Sequence, residues 1–148
     1  RAPMYWSKDD KAEGMCKGPA DMEDFQMKFD SLEEQQEDPD SIYNYVKQVI
    51  RIRNQNPAIA RGTTTYLEQY SGEQCFALTR SYEGSNLLLL GNTSAEAVSV
   101  DLTGLTVGGT TAEELVLLGE LYTGEETAER VGTVVTLPAY SILILGEE

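Results

Sequence analysis

The sequence predicts a mostly β protein, an antiparallel Greek-key β-sandwich preceded by one amphipathic α-helix. Three observations carry this. Residues 63–146 break into short apolar stretches separated by turn residues. Residues 39–55 carry a single apolar stripe at helical spacing. Residues 1–38 scatter Met4, Tyr5, Trp6, Phe25 and Phe29 among Pro3, Gly14, Gly18 and Pro19 with no steady period.

The helix is the plainest element. Ile42, Tyr45, Val46, Val49 and Ile50 fall at i, i+3, i+4, i+7 and i+8, which puts them on one face of a 3.6-residue helix. Asp38 suits the N-cap and Pro39 the first helical position. Asp40 meets the positive end of the dipole, while Arg51 and Arg53 meet the negative end. Asn56-Pro57 stops the helix.

The strands read as Gln74 to Arg80, Asn86 to Leu90, Ala97 to Leu102, Leu115 to Leu118, Thr133 to Leu137 and Tyr140 to Leu145, with Thr64 to Glu68 and Leu121 to Thr123 as two further candidates. Val98, Val100 and Leu102 alternate with Ala97, Ser99 and Asp101, the period of a half-buried strand. Ser71-Gly72, Glu83-Gly84, Gly108-Gly109, Gly124 and Gly132 supply the turns, and Pro138-Ala139 separates the last two strands. Tyr140 is expected at the buried base of the final strand. Residues 1–38 are expected to be irregular or partly disordered, a length of loop that is uncommon inside a compact domain.

Composition narrows the function classes. There is no histidine, which excludes Ser-His-Asp and Cys-His catalysis as well as Cys/His metal sites. Cys16 and Cys75 lie in differently behaving segments and could pair only if their Cα atoms came within about 7 Å; spacing favours free thiols and leaves pairing open. The net charge of −14 is uneven: residues 1–40 hold 12 acids and 5 bases, residues 41–62 hold no acid and 4 bases, and residues 63–148 hold 13 acids and 2 bases. This surface disfavours nucleic acid and anionic membranes but costs a neutral glucan nothing. Runs such as Leu87 to Leu90 are far shorter than the roughly 20 residues of a membrane helix.

Several stretches together resemble glycoside hydrolase family 13, the α-amylase family. Arg1-Ala2-Pro3-Met4-Tyr5-Trp6 is similar to that family's Arg-x-Pro-Met-x-Trp stretch after the eighth barrel strand. Asp38-Pro39-Asp40-Ser41, followed by Ile50-Arg51-Ile52-Arg53-Asn54-Gln55-Asn56-Pro57, resembles its last barrel helix. Ala58 to Gly62 resembles the linker, the Asn86 to Asn92 stretch a core strand ending in Asn, and Leu137-Pro138-Ala139-Tyr140-Ser141 with the apolar run behind it the final strand. Ala139 stands where that family commonly has Pro, and residues 7–38 lack the Ala-Gly-Phe-Thr signature of the oligo-1,6-glucosidase branch.

The resemblance implies a C-terminal segment. Residues 1–58 would be the remnant of a (β/α)8 catalytic barrel, with loop 1–38 and helix 39–55, and residues 59–148 the C-terminal all-β sandwich. The parent would be a retaining hydrolase of α-1,4-glucosidic bonds in starch or maltodextrins; an α-glucosidase, a transglycosylase, or a glycan-binding sandwich presenting Tyr66, Tyr70, Tyr82 and Tyr122 are the alternatives. The nucleophilic Asp, the acid/base Glu and the transition-state Asp would precede Arg1, leaving no catalytic residue and no metal ligand in this chain. Glu33-Glu34 and Glu125-Glu126 read as solvated pairs. Arg1, Tyr5 and Trp6 would lie nearest the cleft, Arg1 toward sugar hydroxyls and an aromatic ring against a sugar face, or else packed on the barrel rim. No cofactor is expected in this segment, and any calcium of the parent would have its ligands upstream. The implied partner is an α-glucan bound through the parent, with self-association through helix 39–55 as a second possibility. Location stays open between the cell exterior or surface and the cytoplasm.

Overall fold

The computed structural model describes residues 3–9, 11–16, 18, 20 and 27–147. The chain divides into two compact units, residues 1–48 and 49–148, and one helix runs through the division.

In the first unit, α1 spans Leu32–Glu37. Residues 1–38 are therefore not irregular throughout. The signal for α1 is Ser31-Leu32-Glu33-Glu34, a capping box: Ser31 Oγ receives Glu34 N–H, and the Glu34 carboxylate receives the Ser31 amide at 3.1 Å. The main helix α2 spans Ile42–Gln55, three residues shorter at its start than the 39–55 expected. Ser41, not Asp38, caps it, since Ser41 Oγ accepts Asn44 N–H at 3.2 Å and its carbonyl accepts Tyr45 N–H at 2.9 Å. Asp38 is instead the C-cap of α1, and its carboxylate accepts Asp40 N–H, which holds Pro39-Asp40 in a turn. Asn44 then closes the end of α1 by donating to the carbonyls of Gln35, Gln36 and Asp38.

The second unit holds the end of α2, the short helix α3 (Pro57–Arg61) and ten strands. These are β1 (Thr63–Tyr66), β2 (Cys75–Tyr82), β3 (Ser85–Asn92), β4 (Val98–Asp101), β5 (Thr106–Val107), β6 (Thr110–Thr111), β7 (Val116–Leu121), β8 (Glu129–Val131), β9 (Val134–Leu137) and β10 (Ile142–Gly146). One sheet has the order β1-β2-β3-β10-β7 and a second β4-β9-β8, all antiparallel, with β5-β6 a small hairpin. β10 returns between β3 and β7, and β9 lies between β4 and β8, the interleaved connectivity of a Greek key. The fold is the predicted antiparallel sandwich.

Two layers bury its apolar side chains. Between the sheets, Ala77, Leu88, Leu90, Leu143 and Leu145 meet Val100, Leu102, Val135 and Leu137, with Tyr70 and Leu115 completing the cluster. On the outer face of the five-stranded sheet, Leu87, Leu121 and Ile144 are also buried, as are Ile52 of α2 and Ala58 of α3. Gly119 makes room here, because a β-carbon at that position would lie 3.0 Å from Ile52 Cγ2. Arg80 anchors α3, donating to the carbonyls of Ala58 (3.0 Å) and Ile59 (2.8 Å).

Three departures have local causes. The hairpin β5-β6 was foreseen only as a turn; Gly108 and Gly109, at φ 64° and 103°, give it a two-residue connection that glycine alone adopts freely. Leu121 to Thr123 is not a separate strand, since Leu121 ends β7. Tyr140 is not buried: it sits at φ 47° in the turn before β10 and is 52% exposed.

The predicted helical stripe is mostly solvent-facing. Ile42, Val46 and Ile50 are 77%, 45% and 52% exposed, Tyr45 and Val49 are half-buried, and the one buried residue of α2 is Ile52. Cys16 and Cys75 are both free thiols. No helix is long and apolar enough to cross a membrane among the described residues.

Candidate functional site

Of the residues singled out for the substrate side, Arg1 lies outside the described residues, whereas Tyr5 and Trp6 are placed together by α1. The first turn of a helix leaves amide donors unpaired. Here the Leu32 amide donates to the Tyr5 carbonyl at 2.9 Å and the Glu33 amide to the Trp6 carbonyl at 3.1 Å. Side chains reinforce the strap: Ser7 Oγ donates to Glu33 at 2.7 Å, and Lys8 Nζ pairs with Glu34. Glu33-Glu34 is therefore not merely a solvated pair, because each carboxylate holds the irregular stretch that carries Tyr5 and Trp6. Residues 1–48 bury, among those described, only Ser31 and Ser41, both through hydrogen bonds.

The result is a shallow cleft of about 350 Å³ lined by Tyr5, Lys8, Met27, Lys28, Phe29, Asp30 and Glu34. Phe29 is 64% exposed at its rim, and Trp6 is 45% exposed on the same strap. Phe29 was noted only as a scattered aromatic; the folding of 27–30 beside Tyr5 is what places it here, and no local motif signals it. The ammonium of Lys8 and the Ser31 hydroxyl and amide hold the Glu34 carboxyl down at about 2, and Glu34 in turn raises Lys8. Such a surface offers aromatic faces beside fixed hydrogen-bonding groups, a lining that suits a neutral polyhydroxylated ligand.

The sandwich tyrosines do not assemble into a platform. Tyr70 is in the core and its hydroxyl donates to Thr103 O at 3.2 Å. Tyr122 is half-buried; its phenol donates to Glu120 and accepts the Ala128 amide, and burial pushes it up to about 12. Tyr82 is half-buried with the Arg61 guanidinium 6.0 Å from its ring centre, which leaves Tyr66, at 55%, as the exposed member. Among the described residues no group of three or more His, Cys, Asp or Glu could hold a metal ion.

Comparison with solved structures places this architecture in a known class. A protein named Eubacterium rectale Amy13B is 41% identical over 98% of this chain, with a TM-score of 0.86. An α-amylase from H. orenii matches 81% of the chain at 22% identity (TM-score 0.62), and a mutant of MutB, from crystals soaked with trehalulose, matches 99% at 24% identity (TM-score 0.68). The chain spans about a quarter of each: 27%, 23% and 25% of their lengths. No family model and no curated protein matches it. The fold is thus shared with a portion of each of these three proteins. The solved structures that cover this chain are enzymes of glycoside hydrolase family 13, the α-amylase family, and the chain is similar to a C-terminal portion of them.

Proposed function

We propose that this segment belongs to a retaining hydrolase of α-1,4-glucosidic bonds in starch or maltodextrins, and that it supplies the structural sandwich and one wall of the substrate cleft without the catalytic carboxylates. The 41% identity to Amy13B across nearly the whole chain carries this reading. Retaining hydrolysis needs a nucleophile and an acid/base about 5 Å apart, at the C-terminal ends of barrel strands. In this proposal both come from polypeptide outside the segment, as does any calcium site, since the acids described here form no ligand set. Tyr5 and Trp6 border the sugar path, with Arg1 beside them in sequence.

The exposed stripe of α2 supports the same reading. A helix with Ile42, Val46 and Ile50 in water forgoes about 25 cal/mol for each Å² of apolar surface it could bury. In the parent this face docks on the barrel; in the isolated chain a second copy takes its place. Glycan binding by the sandwich itself has no comparable support.

Starch incubated with the parent polypeptide should release reducing sugar, and the 148-residue chain alone should release none. In the parent, Trp6→Ala is expected to lower kcat/KM for maltodextrin by about tenfold, roughly 1.4 kcal/mol. A parent that leaves starch intact but rearranges sucrose would move the assignment to the transferring branch, of which the trehalulose synthase MutB is an example.

A further inference from the structure

A second concavity lies in the other unit, at residues 53–61 of the stretch 41–62, which holds 4 bases and no acid. Arg53 and Asn54 of the last turn of α2, and Pro57, Ala60 and Arg61 of α3 and its N-terminal approach, enclose about 280 Å³. Both arginines are exposed, and among the described residues neither guanidinium makes a hydrogen bond or ion pair; Arg61 only rests near the Tyr82 ring. Each position alone has an ordinary explanation, a cation complementing the end of its own helix. That does not account for two unpaired guanidinium groups from different helices meeting over one cavity. The Ile52 carbonyl at the end of α2 is taken by the amide and the side-chain nitrogen of Asn56, at 3.1 and 2.8 Å.

We propose that the Arg53–Arg61 cavity is an oxyanion site that takes phosphate, either free or esterified to a sugar. The planar fork of arginine matches phosphate oxygens in pairs. The Asn54 amide adds a further donor at the wall, and the cavity is larger than one phosphate needs, so an attached hydroxyl-bearing ring fits the same space. An anion enters here against a net charge of −14, and the local sign is set by residues 41–62, which hold 4 bases and no acid.

Amide chemical shifts of the 148-residue chain, followed at constant ionic strength, test this. Inorganic phosphate should shift Asn54, Ala60 and Arg61 saturably, acetate should not, and Arg53→Ala with Arg61→Ala should weaken phosphate binding at least about tenfold. Arg53→Lys should lie between, keeping charge without the fork. Glucose 1-phosphate binding as tightly as inorganic phosphate, with glucose inert, identifies a sugar-phosphate site; weaker binding identifies a site for the free anion. Equal shifts with acetate, or phosphate shifts that survive the double substitution, would overturn the proposal.

Discussion

Residues 49–148 and residues 1–48 are built on opposite principles. Every described apolar side chain that is fully buried lies in the first of these stretches, in two layers on either face of the five-stranded sheet. Among the described residues the other stretch buries two serines and leaves Met4, Trp6, Phe29, Ile42 and Val46 exposed. One has a hydrophobic core and the other a hydrogen-bonded hub around α1, in which Ser31, Glu34 and Ser41 tie down neighbouring carbonyls and amides. Hydrogen bonds exchanged with water contribute little net stability, whereas apolar burial contributes directly. The contrast teaches that the sandwich can stand by itself, while the polar hub defines a local shape whose apolar surroundings await a partner.

The largest break of this symmetry should come from the core. Leu88→Ala, at a fully buried site between the sheets, is expected to cost about 2–5 kcal/mol in urea unfolding. Val46→Asp on the exposed stripe should stay within about 0.5 kcal/mol while abolishing any concentration-dependent sedimentation. A costly Val46→Asp would mean that the stripe is core after all.

Asn92 is the next largest. Its side chain donates to the carbonyls of Glu96, Leu137 and Pro138 and accepts the Ser94 amide and hydroxyl, so one buried residue joins three chain segments. Asn92→Ala should cost roughly 2–3 kcal/mol, because the stranded carbonyls stay buried. Loss below half a kcal/mol would show that water replaces the amide.

Acid sharpens the comparison further. Glu34 has its folded value depressed to about 2 from an ordinary 4.5. A depressed carboxyl stabilises the fold above its unfolded value and loses that contribution as pH falls toward the folded one. Fluorescence of Trp6, the single tryptophan, should therefore change between about pH 4.5 and 2, and Glu34→Gln should remove that step. A Trp6 signal that follows the β-sheet circular dichroism at every pH would show that the two units melt together. The smallest expected effect is Glu83→Asn. Glu83 occupies φ 49° in the two-residue turn between β2 and β3, where Asn-Gly is preferred, so a gain of about 0.5–1 kcal/mol in thermal unfolding is expected.

How much of this could be read from the chain follows the same division. Where a periodic pattern met a core, as in Val98–Val100–Leu102 or Leu87 to Leu90, element and burial were both legible. The helical stripe gave the element but not its burial, since periodicity records what a face is suited to cover and not whether the cover is present. Tyr140 was misread because its position before an apolar run suggested a strand base, while the turn that reverses the chain puts it at positive φ and in water. The cleft was legible only in Tyr5, with Trp6 beside it on the same strap. Lys8, Phe29 and Glu34 join them through the capping of α1, whose Ser31-to-Glu34 signal is short and sits among many acids.

The two bases of residues 63–148 have one more consequence. Arg80 spends its guanidinium on the carbonyls of α3, and Arg130 reaches the carbonyls of Leu115 (2.6 Å) and Ala112. The 13 acids of that stretch thus meet cations that are already committed to main chain. In colloidal terms the sandwich is a small polyanion wearing a cloud of counterions, about 8 Å deep at physiological ionic strength. Two copies approaching through their α2 stripes must first interpenetrate those clouds. Added salt thins them, so any pairing of free chains should be gated by ionic strength, and a dilute, low-salt solution should keep them apart however apolar the stripe.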